Sequence, residues 1–251
     1  PDQMRKFIIL ALVSLIAAQT YAVSKAQADS AYVREDYAAA AVLYDSLLTA
    51  EGPSSEIYYN LGNCYYKTDE IAKCVLNYER ALLIAPGDDD IRFNLELARS
   101  KTIDRIIPHH EIFLVTWWRS LVNMTDADTW GVYAVSAFVA MLLLLMFYLF
   151  ATSLWVQKTA FYSGAVLLVL CILFNICAWS QSDKQFNRTG AIVMSPSAIV
   201  RSTPSASGTD LFVLHEGTRV EILDDTMTEW KEVQIADGKK GWIEKKVISK
   251  I

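Results

Sequence analysis

The stretch that decides the N-terminal fold is YYNLGNCYY, residues 58–66. Tyr58, Leu61 and Tyr65 recur at helical spacing and form one face of a predicted helix. Gly62 lies beside that face, where the lack of a side chain lets a second helix approach closely. The stretch therefore predicts a helix that packs tightly against a neighbour, and the residues after it supply that neighbour.

The second helix is predicted from small and aromatic residues that follow, and a proline that cannot continue a helix ends the unit. The combined pattern resembles the tetratricopeptide repeat, and the residues that carry it are Tyr58, Leu61, Gly62, Tyr65, Cys74, Tyr78, Ala81 and Pro86. Cys74 stands where the family usually has alanine, and cysteine is small and apolar enough to serve there. A shift by the family period of about 34 residues gives an earlier copy before it and a capping helix after it. The repeat domain is predicted to span residues 23–106.

The resemblance implies that the first helices of the repeats line a concave, peptide-binding groove. The residues predicted on this surface are Lys25, Tyr32, Tyr59, Asn63, Tyr66, Lys67, Phe93 and Lys101. Aromatic rings with an amide and lysines fit an extended peptide, whose backbone Asn63 would hydrogen bond. The alternative is that Tyr59 and Phe93 only pack against neighbouring helices. Asp29 stands where a carboxylate clamp needs a neutral amide, so capture of a C-terminal carboxylate is not expected.

The N-terminus is typical of an export signal, predicted over residues 1–22 with translation starting at Met4. Arg5 and Lys6 precede an apolar run, and small residues follow it at the positions that a signal peptidase inspects. The alternative is an anchor helix that is not cleaved. In both cases the positive start stays inside, so the following domain emerges on the far side of the membrane.

Two later segments, residues 130–155 and 160–179, are predicted to cross the membrane, since each meets the requirement of about 20 apolar residues. The short loop between them, residues 156–159, makes a tight hairpin, so the domains on both sides of the hairpin face one compartment. Neither segment contains a charged residue or histidine, which argues against transport by this chain alone. The linker 107–129 contains paired tryptophans beside an arginine, a pattern typical of a helix in the headgroup plane.

From residue 191 onward, after a short linker 180–190, the pattern changes to short alternating strands with turn signals, including a predicted hairpin turn at Asp237-Gly238. The series resembles a bacterial SH3-like barrel over residues 191–251, carried by Val200, Arg201, Gly217, Trp230, Gly238, Gly241 and Trp242. The few aromatic residues (Phe212 and the two tryptophans) argue against binding of proline-rich peptides, and the tryptophans fit a core position at least as well. The predicted fold class is a multidomain membrane protein: an all-α tetratricopeptide repeat domain, a two-helix transmembrane hairpin and a C-terminal all-β SH3-like barrel.

Several functional classes find little support in the sequence. The net charge is -5 and no basic stripe is visible, so nucleic acid is not a predicted partner. The four cysteines form no CxxC pair, and their spacing is not that of zinc ligands. His109 and His110 are adjacent and do not share a helix face, which indicates a linker, and His215 has no visible catalytic companion. The sequence therefore predicts no catalytic, cofactor or metal site.

Cys64 and Cys74 occupy positions of one repeat where the two helices meet and small side chains are needed. Two interpretations remain open. They form a disulfide in an oxidising compartment, or they are buried free thiols. A redox-active pair is a third idea, but it lacks CxxC spacing and the electropositive surroundings that a reactive thiolate needs.

The order of these parts is similar to that of the BatE family, the aerotolerance-operon proteins of Bacteroidetes. The runs that carry the resemblance are YYNLGN (58–63), FNLELARSK (93–101) and TDLFVLHEG (209–217). The resemblance implies an inner-membrane protein with both soluble domains in the periplasm, beside von Willebrand-type domain proteins of the same operon and a MoxR-type ATPase. The predicted function is a non-enzymatic scaffold anchored in the lipid bilayer. The alternative is an envelope protein whose barrel binds peptidoglycan.

Overall fold

The computed structural model describes residues 24–107 and 112–251. The predicted signal peptide and the His109-His110 pair lie outside these residues. The described chain is helical at its N-terminus, continues through two long apolar helices and ends in an antiparallel sheet, which confirms the predicted fold class. The helices are α1 (Lys25–Val33), α2 (Tyr37–Glu51), α3 (Ser55–Lys67), α4 (Ile71–Ile84), α5 (Asp89–Ser100), α6 (Phe113–Val122), α7 (Ala127–Phe150) and α8 (Leu154–Phe186).

Helices α1 to α4 form two antiparallel pairs whose turns have the same backbone geometry. Glu35 and Asp69 both adopt positive φ, 64° and 62°, and they are separated by about one family period of 34 residues. A non-glycine residue in this region is uncommon, so its recurrence at equivalent positions marks a structural repeat. Asp88 then begins the capping helix α5, because its side chain accepts hydrogen bonds from the backbone amides of Asp90 and Ile91 at 3.0 and 3.1 Å.

The two pairs share a core of small and aromatic residues. Ala28, Ala40 and Leu47 are fully buried between α1, α2 and α3. Gly62 of α3 lies under the ring of Tyr78, and a Cβ atom there would be 2.6 Å from two ring carbons. The close helix contact expected from the sequence is therefore made by a bare backbone against an aromatic face.

Helices α7 and α8 pack along each other and are long and apolar enough to cross a membrane by length and composition. In the most apolar 18-residue window of each, only 11% of the residues are buried. A helix in the core of a soluble protein would have most of that window covered by other elements. The exposed apolar surface is consistent with the predicted hairpin.

The predicted position of the hairpin turn is wrong. Helix α7 ends at Phe150 and α8 begins at Leu154, so residues 156–159 belong to the first turns of α8 instead of the loop. Gln157 donates from Nε2 to the carbonyl oxygen of Ala151 at 2.9 Å and so closes the turn from inside the helix. Polar residues interrupt the apolar pattern in the sequence, but the helix continues through them without breaking. Helix α8 also continues beyond residue 179 to Phe186, through most of the predicted linker.

The C-terminal sheet is antiparallel throughout, with the order β3-β2-β6-β5-β4-β1-β7. Its strands are β1 (Gly190–Val193), β2 (Ala198–Arg201), β3 (Asp210–Leu214), β4 (Arg219–Asp224), β5 (Trp230–Gln234), β6 (Lys240–Glu244) and β7 (Ile248–Lys250). A hairpin with Gly238 at φ 89° joins β5 to β6. Strand β7, which the sequence did not predict, pairs with β1 and brings the last residue, Ile251, back to the carbonyl oxygen of Gly190 at 3.0 Å.

Candidate functional site

The centre of the predicted groove is a hydrogen-bonded network between α3, α4 and α5. Asn94 of α5 donates from Nδ2 to the hydroxyl oxygen of Tyr59 at 2.8 Å and to Oδ1 of Asn63 at 3.4 Å. Tyr78 of α4 donates its hydroxyl proton to the same Asn63 oxygen at 2.6 Å. Both described hydrogen bonds of Asn63 use Oδ1, so its Nδ2 group remains as a donor on the groove surface. Asn94, which the sequence reasoning did not select, is the residue that joins the helices here.

One end of the groove is cationic and aromatic. The ammonium group of Lys101 lies 4.0 Å from the ring centroid of Tyr66 and 3.7 Å from a carboxylate oxygen of Asp69. Phe93 is 67% exposed although it is a large apolar residue. The exposed Lys67 lies 5.9 Å from the ring centroid of Tyr37. The structure therefore brings Tyr66 of α3 together with Lys101 at the end of α5, whereas Lys67 lies beside Tyr37 of α2.

The other end of the groove differs from the expectation, because its polar groups pair with each other. Lys25 lies 3.1 Å from Asp29 and 2.8 Å from Glu56. Asp29 also accepts a hydrogen bond from the hydroxyl group of Tyr44 at 2.5 Å, and this bond, opposed by burial and helped by Lys25, lowers the pKa of Asp29. Tyr32 packs edge-on against the ring of Tyr37, with centroids 5.2 Å apart. Lys25 thus links α1 to α3 and Tyr32 packs on α2, which leaves the α3–α5 end as the more open surface.

The two barrel tryptophans lie on the outer face of the sheet, so the core alternative for them is wrong. On β5, Lys231 and Val233 point inward and are buried, and the alternating Trp230 points outward and is half-buried. Trp242 of β6 is opposite Arg201 on β2 in the strand register. The Arg201 guanidinium lies 5.9 Å from the Trp230 ring centroid. The two rings and the cation therefore share the outer face of the sheet, where all three are half-buried.

Phe212 lies on the opposite face. It is opposite Val200 in the register of β2 and β3, and it packs against the barrel core. The three barrel aromatics consequently do not line a common groove, which agrees with the argument against proline-rich peptides.

The repeat domain and the barrel are in direct contact, which sequence reasoning missed. Glu79 of α4 has only 4% of its side chain exposed, and it pairs with Arg99 of α5 and with Arg219 of β4, the latter at 2.9 Å. Arg80 donates from Nη2 to the carbonyl oxygen of Lys250 at 2.7 Å. Burial alone would lower the pKa of Arg219, but the charges of Glu79 and Glu221 outweigh it and raise the pKa. The ion pair is therefore stable in its charged form.

Apolar packing accompanies these polar contacts. Ile192 of β1 and the terminal Ile251 belong to the same buried cluster as Cys74, Val75 and Leu95 of the repeat. The barrel thus covers the side of α4 that faces away from the groove. No signal in a single sequence identifies such a contact, because Glu79 is a charged residue in a helix pattern that predicts exposure.

A second contact ties the barrel to the segment that leaves the repeat. Asp104 accepts hydrogen bonds from the backbone amide of His215 and from the hydroxyl group of Thr218, both at 2.7 Å, and its other oxygen lies 2.7 Å from His215 Nδ1. Burial raises the pKa of Asp104, but these hydrogen bonds outweigh it, and the net shift is downward. The predicted surface histidine is therefore part of an interdomain contact.

The cysteines of the repeat are free thiols. Cys64 and Cys74 are both fully buried, in different core clusters. Burial raises the pKa of each thiol to about 12. Within residues 24–107 and 112–251, no group of three His, Cys, Asp or Glu residues is placed to hold a metal ion.

Comparison with known families identifies both modules. Residues 55–88 match the family model of the tetratricopeptide repeat, and residues 196–249 match that of the bacterial SH3 domain. The comparison with curated proteins found no match. The chain therefore combines a protein-interaction repeat with a bacterial SH3 domain, and two helices long and apolar enough to span a membrane lie between them.

Proposed function

We propose that this protein is a non-catalytic, membrane-anchored scaffold whose repeat groove captures a partner protein. The proposal rests on the division of surfaces on the repeat. The barrel covers the outer side of α4 through Glu79 and Arg80, whereas on the α3–α5 side Phe93 is 67% exposed and Tyr66 is half-buried. A repeat domain that holds the barrel on one side and leaves its groove open is suited to bind a partner protein.

The chemistry of the groove indicates the kind of peptide it would take. The Nδ2 group of Asn63 would donate to a backbone carbonyl, and Phe93 and Tyr66 would contact apolar side chains. Lys67 and Lys101 add positive charge beside them. At the far end the charge of Lys25 is already paired with Asp29 and Glu56, so Lys25 does not serve as a clamp for a carboxylate. An extended internal segment with apolar and acidic residues fits these groups better than a free C-terminus.

Docking of the barrel on the repeat strengthens the scaffold argument. A partner that contacts both modules gains effective concentration, since the second contact forms within one complex. In a docked pair this gain is large, because the distance between the two surfaces is fixed instead of being spread over a flexible linker. From the family resemblance, we propose as partners the von Willebrand-type domain proteins, in a periplasmic aerotolerance or envelope-stress complex at the inner membrane.

The test is affinity purification of the tagged full-length protein from cross-linked native membranes, read by mass spectrometry. A Phe93→Ser, Tyr66→Ala double variant should lose the co-purified membrane proteins. Val42→Ser is the matched control, because Val42 on α2 is also 67% exposed but lies outside the predicted groove. Recovery of the same partners with the groove variant would disprove capture by the groove.

A second candidate function rests on the outer face of the barrel. Trp230 and Trp242 are half-buried and share the outer face of the barrel with Arg201, which pairs with Asp210 at 3.4 Å. Flat rings of this kind suit stacking on sugars. We propose peptidoglycan as the ligand of this face. A Trp230→Ala, Trp242→Ala variant should then no longer sediment with purified cell-wall sacculi, whereas the groove variant should sediment normally.

A further inference from the structure

A basic cleft lies where the repeat, α6, the end of α8 and the barrel meet. It encloses about 1120 Å³. The cationic side chains that line it are Arg92, Arg99, Arg119, Lys184, Arg188 and Arg219, and the carboxylates are Glu79 and Glu221. Positive charge is therefore in excess among the lining residues, although Arg92 also pairs with Asp89 outside the lining.

The charges are unevenly distributed within this basic cleft. On the barrel side, Arg219 pairs with both Glu79 and Glu221, and Arg99 pairs with Glu79. Lys184 and Arg188, at the end of α8, instead donate to neutral oxygens.

Lys184 donates to Oδ1 of Asn123 at 2.8 Å and to Oε1 of the buried Gln181 at 3.5 Å. Arg188 donates from Nε to the carbonyl oxygen of Gln185 at 2.9 Å. Two cations held in place by neutral acceptors keep their charge available for an anion.

The α8 side of the cleft is at the height of the predicted membrane surface. Trp179 of α8 is 72% exposed, and exposed tryptophans concentrate in the headgroup layer. Lys184 follows five positions later, which is about 7.5 Å further along the helix axis at about 1.5 Å per residue.

Helix α6, across the cleft from α8, also has the features of a helix at the predicted membrane surface. Its residues Phe113 and Trp117 are 76% and 55% exposed, as in a helix whose apolar face rests in the acyl boundary. Thr116, Arg119 and Asn123 lie on its cleft-lining face. The cleft thus opens between an apolar helix and the end of a membrane helix.

We propose that this cleft binds the phosphate group of an anionic phospholipid, with Lys184 and Arg188 as the phosphate contacts and the acyl chains along the exposed apolar face of α6. Phosphate is the shared chemistry, and its source is either a lipid headgroup or a soluble phosphate compound. The position beside Trp179 and Trp117 selects the lipid, because a soluble ligand needs no apolar surface. This binding site is independent of the groove that captures a partner.

The test titrates the purified full-length protein in detergent micelles with phosphatidylglycerol and, separately, with phosphatidylcholine, followed by native mass spectrometry. Wild-type protein should retain phosphatidylglycerol selectively. A Lys184→Gln, Arg188→Gln variant should bind it about tenfold more weakly or worse, since each cation near an anionic lipid contributes measurably to binding. Lys240→Gln, Lys245→Gln is the control with the same change in charge, on exposed residues of the barrel, and should bind normally.

Further arms decide between the remaining outcomes. Lys184→Arg, Arg188→Lys conserves both charges and should restore binding, which separates loss of charge from damage to the fold. Equal binding of the two lipids, or equal weakening in the barrel control, would overturn the site. Glycerol 3-phosphate and inorganic phosphate form the soluble arm: saturable binding of either, lost in the Lys184/Arg188 variant while lipid binding persists, would overturn the lipid assignment.

Discussion

Arg219 on barrel strand β4 donates to Glu79 on repeat helix α4 across 2.9 Å, although 140 positions separate the two residues in the chain. The carboxylate is 4% exposed, and Arg219 and Arg99 approach it from two elements. A buried carboxylate needs such partners, because an uncompensated buried charge is strongly destabilising. The pair therefore couples the folding of the two domains.

Replacing Glu79 by glutamine removes the charge but keeps the size of the side chain, so it measures the contribution of the ion pair apart from that of packing. We expect a loss of about 1–3 kcal/mol in unfolding free energy, less than for a fully buried pair, because solvent screens the half-exposed arginines. Thermal unfolding of Glu79→Gln, Arg219→Gln and the double variant gives the coupling energy. The exposed Glu96→Gln serves as the control and should unfold like the wild type. Strictly additive effects of the two substitutions would contradict a direct interaction.

Gly62→Ala should destabilise the repeat. The added Cβ atom would lie 2.6 Å from two carbons of the Tyr78 ring, and overpacking of this kind costs about 1–3 kcal/mol. A fall in the midpoint of thermal unfolding followed by circular dichroism checks the prediction. Gly131→Ala in α7 is the control, because a Cβ atom added there would meet no neighbouring atom within 4 Å. An unchanged midpoint for Gly62→Ala would mean that α3 and α4 do not touch at this residue.

Asp104 should make the stability of the barrel contact depend on pH. Its pKa is held below the ordinary value of 3.8, by hydrogen bonds that outweigh burial. The contribution is therefore fully present above that value and is lost as the pH falls through the lower, folded-state pKa. Between about pH 6 and about pH 3, wild-type protein should lose more thermal stability than Asp104→Asn. The exposed Asp45→Asn should retain the wild-type pH dependence, and equal losses in all three proteins would exclude a role for Asp104.

Cys64 and Cys74 should be unreactive in the folded protein. With the pKa of each thiol raised to about 12 by burial, the thiolate fraction at about pH 8 is on the order of one in ten thousand. In a Cys171→Ser, Cys177→Ser background, a fluorescent maleimide should label neither residue until denaturant is added. Rapid labelling of the native protein would revive the redox hypothesis.

The elements that the sequence predicted well are those set by local pattern. The Tyr58–Tyr66 stretch determines both the helix and the contact at Gly62, since the face and the gap lie within a few residues of each other. The same holds for the strands, where alternation marks the inward residues. Strand β7 was missed because three residues, Ile248 to Lys250, are too short for a pattern and are fixed only by pairing with β1.

The contact between the domains lies beyond such reasoning. Glu79 is 4% exposed, yet its type and position predict a solvated face of α4. The barrel buries this face, since Arg219 pairs with Glu79, and Ile192 and Ile251 join the buried cluster of α4, more than a hundred residues further along the chain. The groove was predicted only in part, because contacts between helices are not visible in a local pattern. Family spacing locates Asn63, but only the packed helices show that Asn94 joins it to Tyr59.

Helix α8 has a mechanical consequence. Its 33 residues make a rod about 50 Å long, whereas the hydrocarbon core of a bilayer is about 30 Å thick. A spanning α8 would therefore project as a rigid strut, and its end is fastened to the repeat where Gln185 donates to the carbonyl oxygen of Leu83 at 3.3 Å. The projecting helix fixes the distance of the repeat from the bilayer. A tilt of the hairpin in a thinner or thicker bilayer would therefore rotate the repeat and the barrel together as one rigid body.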